Sequence, residues 1–179
     1  MPDFSEVPLL IAFIDLTRFV AQAERLEDAE VARIMDGYYE LVGRTVQAAG
    51  GRAVKFIGDA ALIVFPSEAV DRGVLALLDL KRAVDQSMAE RAWECRLIAK
   101  IHFGSVVAGH FGAQGDKRYD VLGKAVNVTA KLNTSGVALS AEAFQHLSPE
   151  VRKRFQKHTP PVTYIQQEDS HPPPHASRR

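Results

Sequence analysis

Two aspartates end or interrupt apolar runs in a way that could do chemistry. Asp15 closes "PLLIAFID" (8–15), and Asp59 sits inside "VKFIGDAALIVF" (54–65), with Lys55 four residues before it. A continuous apolar run predicts a strand buried on both faces. Gly58-Asp59 between two β-rich runs predicts a tight hairpin, because such pairs favour strand-reversing turns. If the first strand lies beside that hairpin, the two carboxylates emerge at one sheet edge although 44 positions separate them (59 − 15). Carboxylates held close repel unless a cation compensates them. Two of them with backbone carbonyls make a hard oxygen site suited to Mg²⁺ or Mn²⁺, usually completed by phosphate oxygens of a substrate. The structural alternative is that Asp15 caps a turn and Asp59 only forms the hairpin.

The elements that must hold these residues follow from periodicity. Residues 27–49 place Val31, Ile34, Met35, Tyr38, Leu41, Val42 and Val46 at helical spacing, with acids in the first turn and Gly50-Gly51 at the end. The hairpin 52–57/60–65 follows, then a helix over 67–90. Strands are expected at 95–104 and 105–112, and a loop or short strand at "DKRYDVLG". A helix at 125–136, a short strand "VALS", a helix at 141–154 and a last strand near 162–165 complete the order. The pattern predicts an α+β fold, a sheet with helices packed against it. Residues 1–165 form one domain. The segment 166–179, "QQEDSHPPPHASRR", has three consecutive prolines and no large apolar side chain, and is expected to be disordered.

Bulk properties exclude several classes. The 179 residues suffice for one domain with a real core. With 22 basic and 22 acidic side chains the formal charge is zero, which argues against nucleic acid or an anionic membrane as the main partner. The single cysteine, Cys95, rules out an internal disulfide and fits a reducing, cytoplasmic setting. The N-terminus carries acids, no basic segment, and an apolar run too short to span a bilayer.

"FIDLTRF" (13–19), "VKFIGDAALIVF", "IHFGSVVAGHFG" (101–112) and "RYDVLGKAVNVTAKL" (118–132) together resemble the class III nucleotidyl cyclase catalytic domain, in its order and at its separations. The resemblance covers residues 9–165. It implies a ferredoxin-like α+β core with an antiparallel-rich sheet. It also implies a homodimer with active sites shared between chains, and conversion of a nucleoside triphosphate to a 3′,5′-cyclic monophosphate plus pyrophosphate. By the same resemblance Asp15, Asp59 and the Leu16 carbonyl would hold two divalent cations, Mg²⁺ or Mn²⁺. The turn Leu16-Thr17-Arg18-Phe19 would cradle the phosphates. Lys55 and Asp120 would read the base, and Asn127 would position the ribose. Lys131 stands where the family has a transition-state arginine, and lysine offers a point charge without arginine's planar fork. Lys157 would match a late phosphate-binding lysine, without the glycines that usually accompany it. His102 and His110 fall in strands and are read as structural.

A lysine donor beside an aspartate acceptor suits adenine, and uracil or cytosine equally, so pocket width has to decide. Phe103, where the family commonly has threonine, and Leu122 are expected to narrow the pocket. The domain is expected to stand alone, without a sensor or membrane segment before Phe13, which resembles the small single-domain pyrimidine cyclases of bacterial antiphage systems, whose cyclic nucleotide is read by a separate effector. UTP is the substrate this resemblance implies. The alternatives are a stand-alone adenylate cyclase and a cyclase-like homodimer that binds nucleotide with little turnover, a reading Lys131 favours.

Overall fold

The computed structural model describes residues 4–159 and 162–167. Thirteen residues make the central strand β1 (Phe4–Leu16), whose run from Leu9 to Ala12 is buried. A short helix α1 (Phe19–Ala23) and a long one, α2 (Asp28–Ala48), lead into the hairpin β2 (Arg52–Ile57) and β3 (Ala60–Pro66). After a 3₁₀ turn, Ser67–Ala69, comes helix α3 (Val70–Glu90), followed by β4 (Leu97–Phe111), β5 (Arg118–Leu122) and helix α4 (Lys124–Lys131). The chain closes with β6 (Val137–Ser140), α5 (Ala141–Gln145), α6 (Pro149–Arg152), β7 (Phe155–His158) and β8 (Thr163–Gln166).

These strands form one eight-stranded sheet in the order β2-β3-β1-β4-β6-β8-β7, with β5 paired to β4. Every pairing is antiparallel except β4 with β6. Strand alternation sends one set of side chains toward α2 and α3, where Leu10, Ile14, Phe65, Leu77 and Ile101 are among the core residues. The other face holds a smaller cluster of Leu9, Ile11, Leu62, Val64, Val106, Val121 and Ala125, contributed by the sheet, β5 and α4. The fold is thus mixed α+β with helices flanking the sheet, as the periodicity predicts, and the sheet is mostly antiparallel, as the resemblance implies.

Five features differ from expectation. The segments 95–104 and 105–112 are one strand, because Gly104 continues the pleat. It is glycine for packing: a Cβ there would lie 2.8 Å from the Ala125 Cβ of α4. Helix α4 stops at Lys131, since Leu132 turns extended at ψ 139°. The expected helix 141–154 is two short ones, each started by a serine cap: Ser140 accepts from the Ala143 N–H and Ser148 from the Val151 N–H. Strand β7 was not expected, and β8 runs through Gln166, one residue into the segment read as tail. Residues 168–179 of that segment lie outside the described residues. Among the described residues no helix is long and apolar enough to cross a membrane.

Candidate active site

Strand β1 lies between β3 and β4, with Ile14 opposite Ala61 and Asp15 opposite Ile98. This register places the β2–β3 turn just past the end of β1. Gly58 adopts φ 61°, the left-handed region the tight turn needs, and Asp59 follows it. The Leu16 N–H donates to Asp15 Oδ1 at 3.0 Å and to Asp59 Oδ2 at 3.2 Å. The two carboxylates anticipated at one sheet edge therefore converge on a single amide. Desolvation by the surrounding protein, then the hydrogen bond and negative charge of Asp59, push Asp15 up from 3.8 to about 6, against the pull of the Leu16 amide and the Lys100 ammonium. Asp15 nonetheless keeps an exposed edge, open to a ligand.

The pair fits a hard cation on the chemistry of its donors. Two carboxylates repel across a shared amide, and a divalent ion between them would relieve that repulsion. Among the described residues no third histidine, cysteine or acid joins them. Such a donor set leaves coordination positions to backbone carbonyls, water and phosphate oxygens.

Two tyrosines of α2 grip the same turn. The Tyr38 hydroxyl donates to the Asp59 carbonyl at 3.1 Å, and the Tyr39 hydroxyl to the Gly58 carbonyl at 2.6 Å. Burial, with the charge of Asp59 second, raises the Tyr38 hydroxyl, which stays protonated and a donor. Sequence reasoning counted Tyr38 as core and overlooked its hydroxyl. Lys100 was overlooked too. It lines a cavity of about 120 Å³ with Asp15, Ala60, Ile98 and Ala130, and donates to the Ala130 carbonyl near the end of α4 at 3.1 Å. The signal was a single lysine inside the apolar strand "LIAKIHF".

The loop after β1 is pinned from the other side. The Thr17 N–H donates to the Arg96 carbonyl at 2.9 Å, and the Thr17 hydroxyl accepts from the Arg96 N–H at 3.0 Å. Arg18 sits in the left-handed region at φ 57° and pairs with Glu94 at 2.6 Å, both exposed. The Phe19 ring lies 6.2 Å from that of Trp93.

A second cluster forms where the β4–β5 hairpin folds back to β2. Lys55 Nζ meets Asp120 Oδ2 at 2.6 Å, and Asp120 Oδ1 accepts from the Val121 N–H at 2.8 Å. The Arg52 guanidinium lies 4.1 Å from the centre of the Tyr119 ring, tying the same two strands together. Leu122 is exposed, two residues beyond Asp120. The structure thus brings Lys55 and Asp120 together within one chain, and Leu122 shares the face of β5 that carries Asp120.

Phe103 does not join them. Its ring stacks on His146 at 3.7 Å and packs against the core on the helix side of the sheet. It sits opposite Leu10 of that same core, whereas Lys55 sits opposite Leu62 of the smaller cluster, so the pleat sends the two side chains to opposite faces. The expected narrowing by Phe103 is corrected accordingly. Asn127 and Lys131 occupy exposed positions of α4, four residues apart and on one face. Lys157 is exposed on β7, the sheet edge opposite the β2–β3 hairpin. One chain therefore does not gather Lys157 with Asp15 and Asp59. His102 is buried, with Nδ1 2.8 Å from the Ser140 hydroxyl, and is a structural side chain, as read from the sequence.

Residues 3–163 match the family of the adenylate and guanylate cyclase catalytic domain. An adenylate cyclase of Anabaena cylindrica is 28% identical over 132 residues, 69% of this chain and 26% of that protein. An uncharacterized protein of Mycobacterium tuberculosis is 34% identical over 143 residues, 78% of this chain and 34% of its own. The chain thus spans about a quarter to a third of these relatives' length. Among solved structures, a bacterial light-regulated adenylyl cyclase superposes with a TM-score of 0.80 at 23% identity, covering 93% of this chain and 53% of that one. The guanylyl cyclase Cya2 superposes with 0.77 at 21% identity, covering 92% and 93%. The chain belongs to the adenylate and guanylate cyclase catalytic domain family, and its fold is that of class III cyclase structures.

Proposed function

We propose that this domain is a nucleotidyl cyclase that converts a nucleoside triphosphate to a 3′,5′-cyclic monophosphate and pyrophosphate. The observation that carries the reading is the convergence of Asp15 and Asp59 on the Leu16 amide at the end of β1. Asp15, Asp59 and the Leu16 carbonyl would hold two divalent cations, Mg²⁺ or Mn²⁺, in a family whose members use divalent metals. When bound, such ions supply positive charge to the attacking 3′-hydroxyl and to the leaving oxygens. The protein's own part is orientation and electrostatics. The turn from Leu16 to Phe19, held rigid by Thr17 on Arg96, receives the phosphates. Asn127 orients the ribose, and the Lys131 ammonium meets the charge developing on the α-phosphate, with Lys157 on the terminal phosphates. Lys157 lies at the far sheet edge, and the resemblance draws the base, ribose and transition-state residues from the chain opposite the metal aspartates, so the reading takes Lys55, Asp120, Asn127, Lys131 and Lys157 from a second copy of the chain. The sites are then shared across a homodimer.

Lys55 and Asp120 present one donor and one acceptor to the base. We assign UTP as the substrate. Uracil meets the pair with a carbonyl oxygen and a ring N–H, and Leu122 narrows the pocket beside them. ATP is the second reading. The placement of Phe103 on His146 favours it by removing one of two walls, and so does the similarity to an adenylate cyclase. Incubating the protein with Mn²⁺ and all four triphosphates at equal concentration, then resolving products by mass, tests both levels. Cyclic UMP as the main product supports the full assignment, cyclic AMP replaces only the base, and no cyclic product from any triphosphate overturns the enzyme reading.

A further inference from the structure

We propose that Tyr38 and Tyr39 are positioning residues for the metal pair, their hydroxyls fixing the hairpin turn from which Asp59 reaches Leu16. The inference rests on the reading of Asp15 and Asp59 as cation ligands.

The turn has little else to hold it. A side chain built at Gly58 would meet nothing within 4 Å, and Ile57 is 58% exposed. Carbonyls at a hairpin tip normally turn to water, which leaves the tip free to swing. Here both are taken by phenol hydroxyls, Asp59's by Tyr38 and Gly58's by Tyr39. The hydroxyls come from consecutive residues of a 21-residue helix, so the turn is referred to one long rigid element. Each ring is itself fixed. Tyr38 is 4% exposed within the main core, and Tyr39 lies against Phe56 with ring centres 4.2 Å apart. A ring with only two side-chain torsions, packed in this way, sets its hydroxyl closely.

The consequence is specific to Asp59. Its carbonyl is bound on the helix side by Tyr38 while its carboxylate accepts from Leu16 on the strand side, so backbone and side chain are held from opposite directions. Removing the hydroxyls lets the residue rotate, and the carboxylate leaves Asp15 without changing the fold. Groups that orient a ligand in this way typically govern metal affinity by about 10–100-fold.

The test is direct Mn²⁺ binding to the intact chain, followed by loss of the free-ion paramagnetic resonance signal. Tyr38→Phe/Tyr39→Phe keeps both rings and is expected to weaken Mn²⁺ binding about tenfold or more. Tyr39→Phe alone, at a partly exposed position where folding is not at stake, should give a smaller loss in the same direction. Val46→Ala, a core change remote from the turn, should lower the melting temperature and leave Mn²⁺ affinity in place. Asp59→Asn serves as the reference. If it weakens Mn²⁺ binding while the tyrosine variants bind as wild type does, the clamp is overturned and the metal pair stands. Should Val46→Ala weaken binding as much as the tyrosine variants, the effect is one of general stability and the clamp is again overturned. If Asp59→Asn itself binds normally, the cation reading falls and takes the clamp with it.

Discussion

Lys55 Nζ and Asp120 Oδ2 meet at 2.6 Å across two strands that share no ladder, because β5 pairs with β4 and only its fold-back reaches β2. The pair is half open to water, at 42% and 23% side-chain exposure, so as a stabilising ion pair it is worth under about 1 kcal/mol. In the proposed function the pair is a donor and an acceptor held ready for a base edge. Lys55→Ala or Asp120→Ala is therefore expected to shift the melting temperature by a few degrees at most. Each should cost about 10–100-fold in kcat/KM, the scale of one lost hydrogen bond to a charged group. Parallel steady-state kinetics and thermal melts check it. A large loss of stability with base preference intact would make the pair structural.

Asp15 sets a pH dependence whose sign can be worked out. Its carboxyl is raised from 3.8 to about 6 in the folded chain, so between those values the native state holds more protons than the unfolded one. Stability of the metal-free protein then falls as pH rises through that window, and the penalty is complete above about 6. Asp15→Asn should raise the melting temperature in chelator at pH 8 and make no difference near pH 3.5. Solvent reaches Asp15, so the gain stays well below the about 3 kcal/mol that a comparable shift in a dry site would bring. A variant less stable than wild type at pH 8 would mean the carboxylates do not repel as the geometry indicates.

The proposed sharing of sites between two chains makes a complementation prediction. Asp59→Ala and Asn127→Ala chains should each be inactive, and mixing them with subunit exchange should restore activity, because one site of each mixed dimer then receives both intact halves. Equilibrium sedimentation establishes exchange and dimer formation, and a product assay reads recovery. Demonstrated exchange without recovery would place the whole site within one chain.

Lys131 ends α4 with its side chain exposed. If it meets the α-phosphate, Lys131→Ala should lose about 2–4 kcal/mol of transition-state stabilisation, typical of removing one preorganised charge partner. Lys131→Arg should keep or raise turnover, because the planar fork can hold two phosphoryl oxygens. Single-turnover rates separate this from binding. Unchanged turnover in Lys131→Ala would return the residue to the solvated face of its helix.

The site's outline was legible where it depended on local pattern. The apolar run into Asp15 and the Gly58-Asp59 turn announce two strand ends, and the sheet register brings them together. What escaped depended on neighbours. Strand β7, "FQKH", is an edge strand with three of four residues exposed, so it carries no alternation to detect. The Ser148-Pro149 pair could have signalled a new helix inside 141–154, since serine caps and proline starts helices. The hydroxyl of Tyr38 was hidden because helical spacing marks that ring only as core, and Tyr39 falls outside the spacing altogether. Phe103 was misplaced because motif position says which strand a residue belongs to, while the pleat says which face it takes.

That distinction leads to the base. With Phe103 stacked on His146, Leu122, 47% exposed and two residues beyond Asp120 on β5, is the one left of the two side chains proposed to limit pocket width. A wall that is hydrophobic and partly open discriminates by size at about 1–3 kcal/mol, whereas a base that leaves Lys55 or Asp120 unpaired is rejected more strongly. Leu122→Ala is therefore expected to raise kcat/KM for purine triphosphates relative to UTP by about tenfold, and Leu122→Trp to lower it. Phe103→Ala should leave that ratio alone and destabilise the fold by about 3–5 kcal/mol or somewhat less, because the ring is only partly buried. A milder variant, Phe103→Leu, keeps enough of the packing to be assayed if the alanine variant unfolds. Competition among the four triphosphates, with products resolved by mass, reads both positions in one experiment. A change of base preference in Phe103→Leu with none in Leu122→Ala would reverse the assignment and bring the ring back to the pocket.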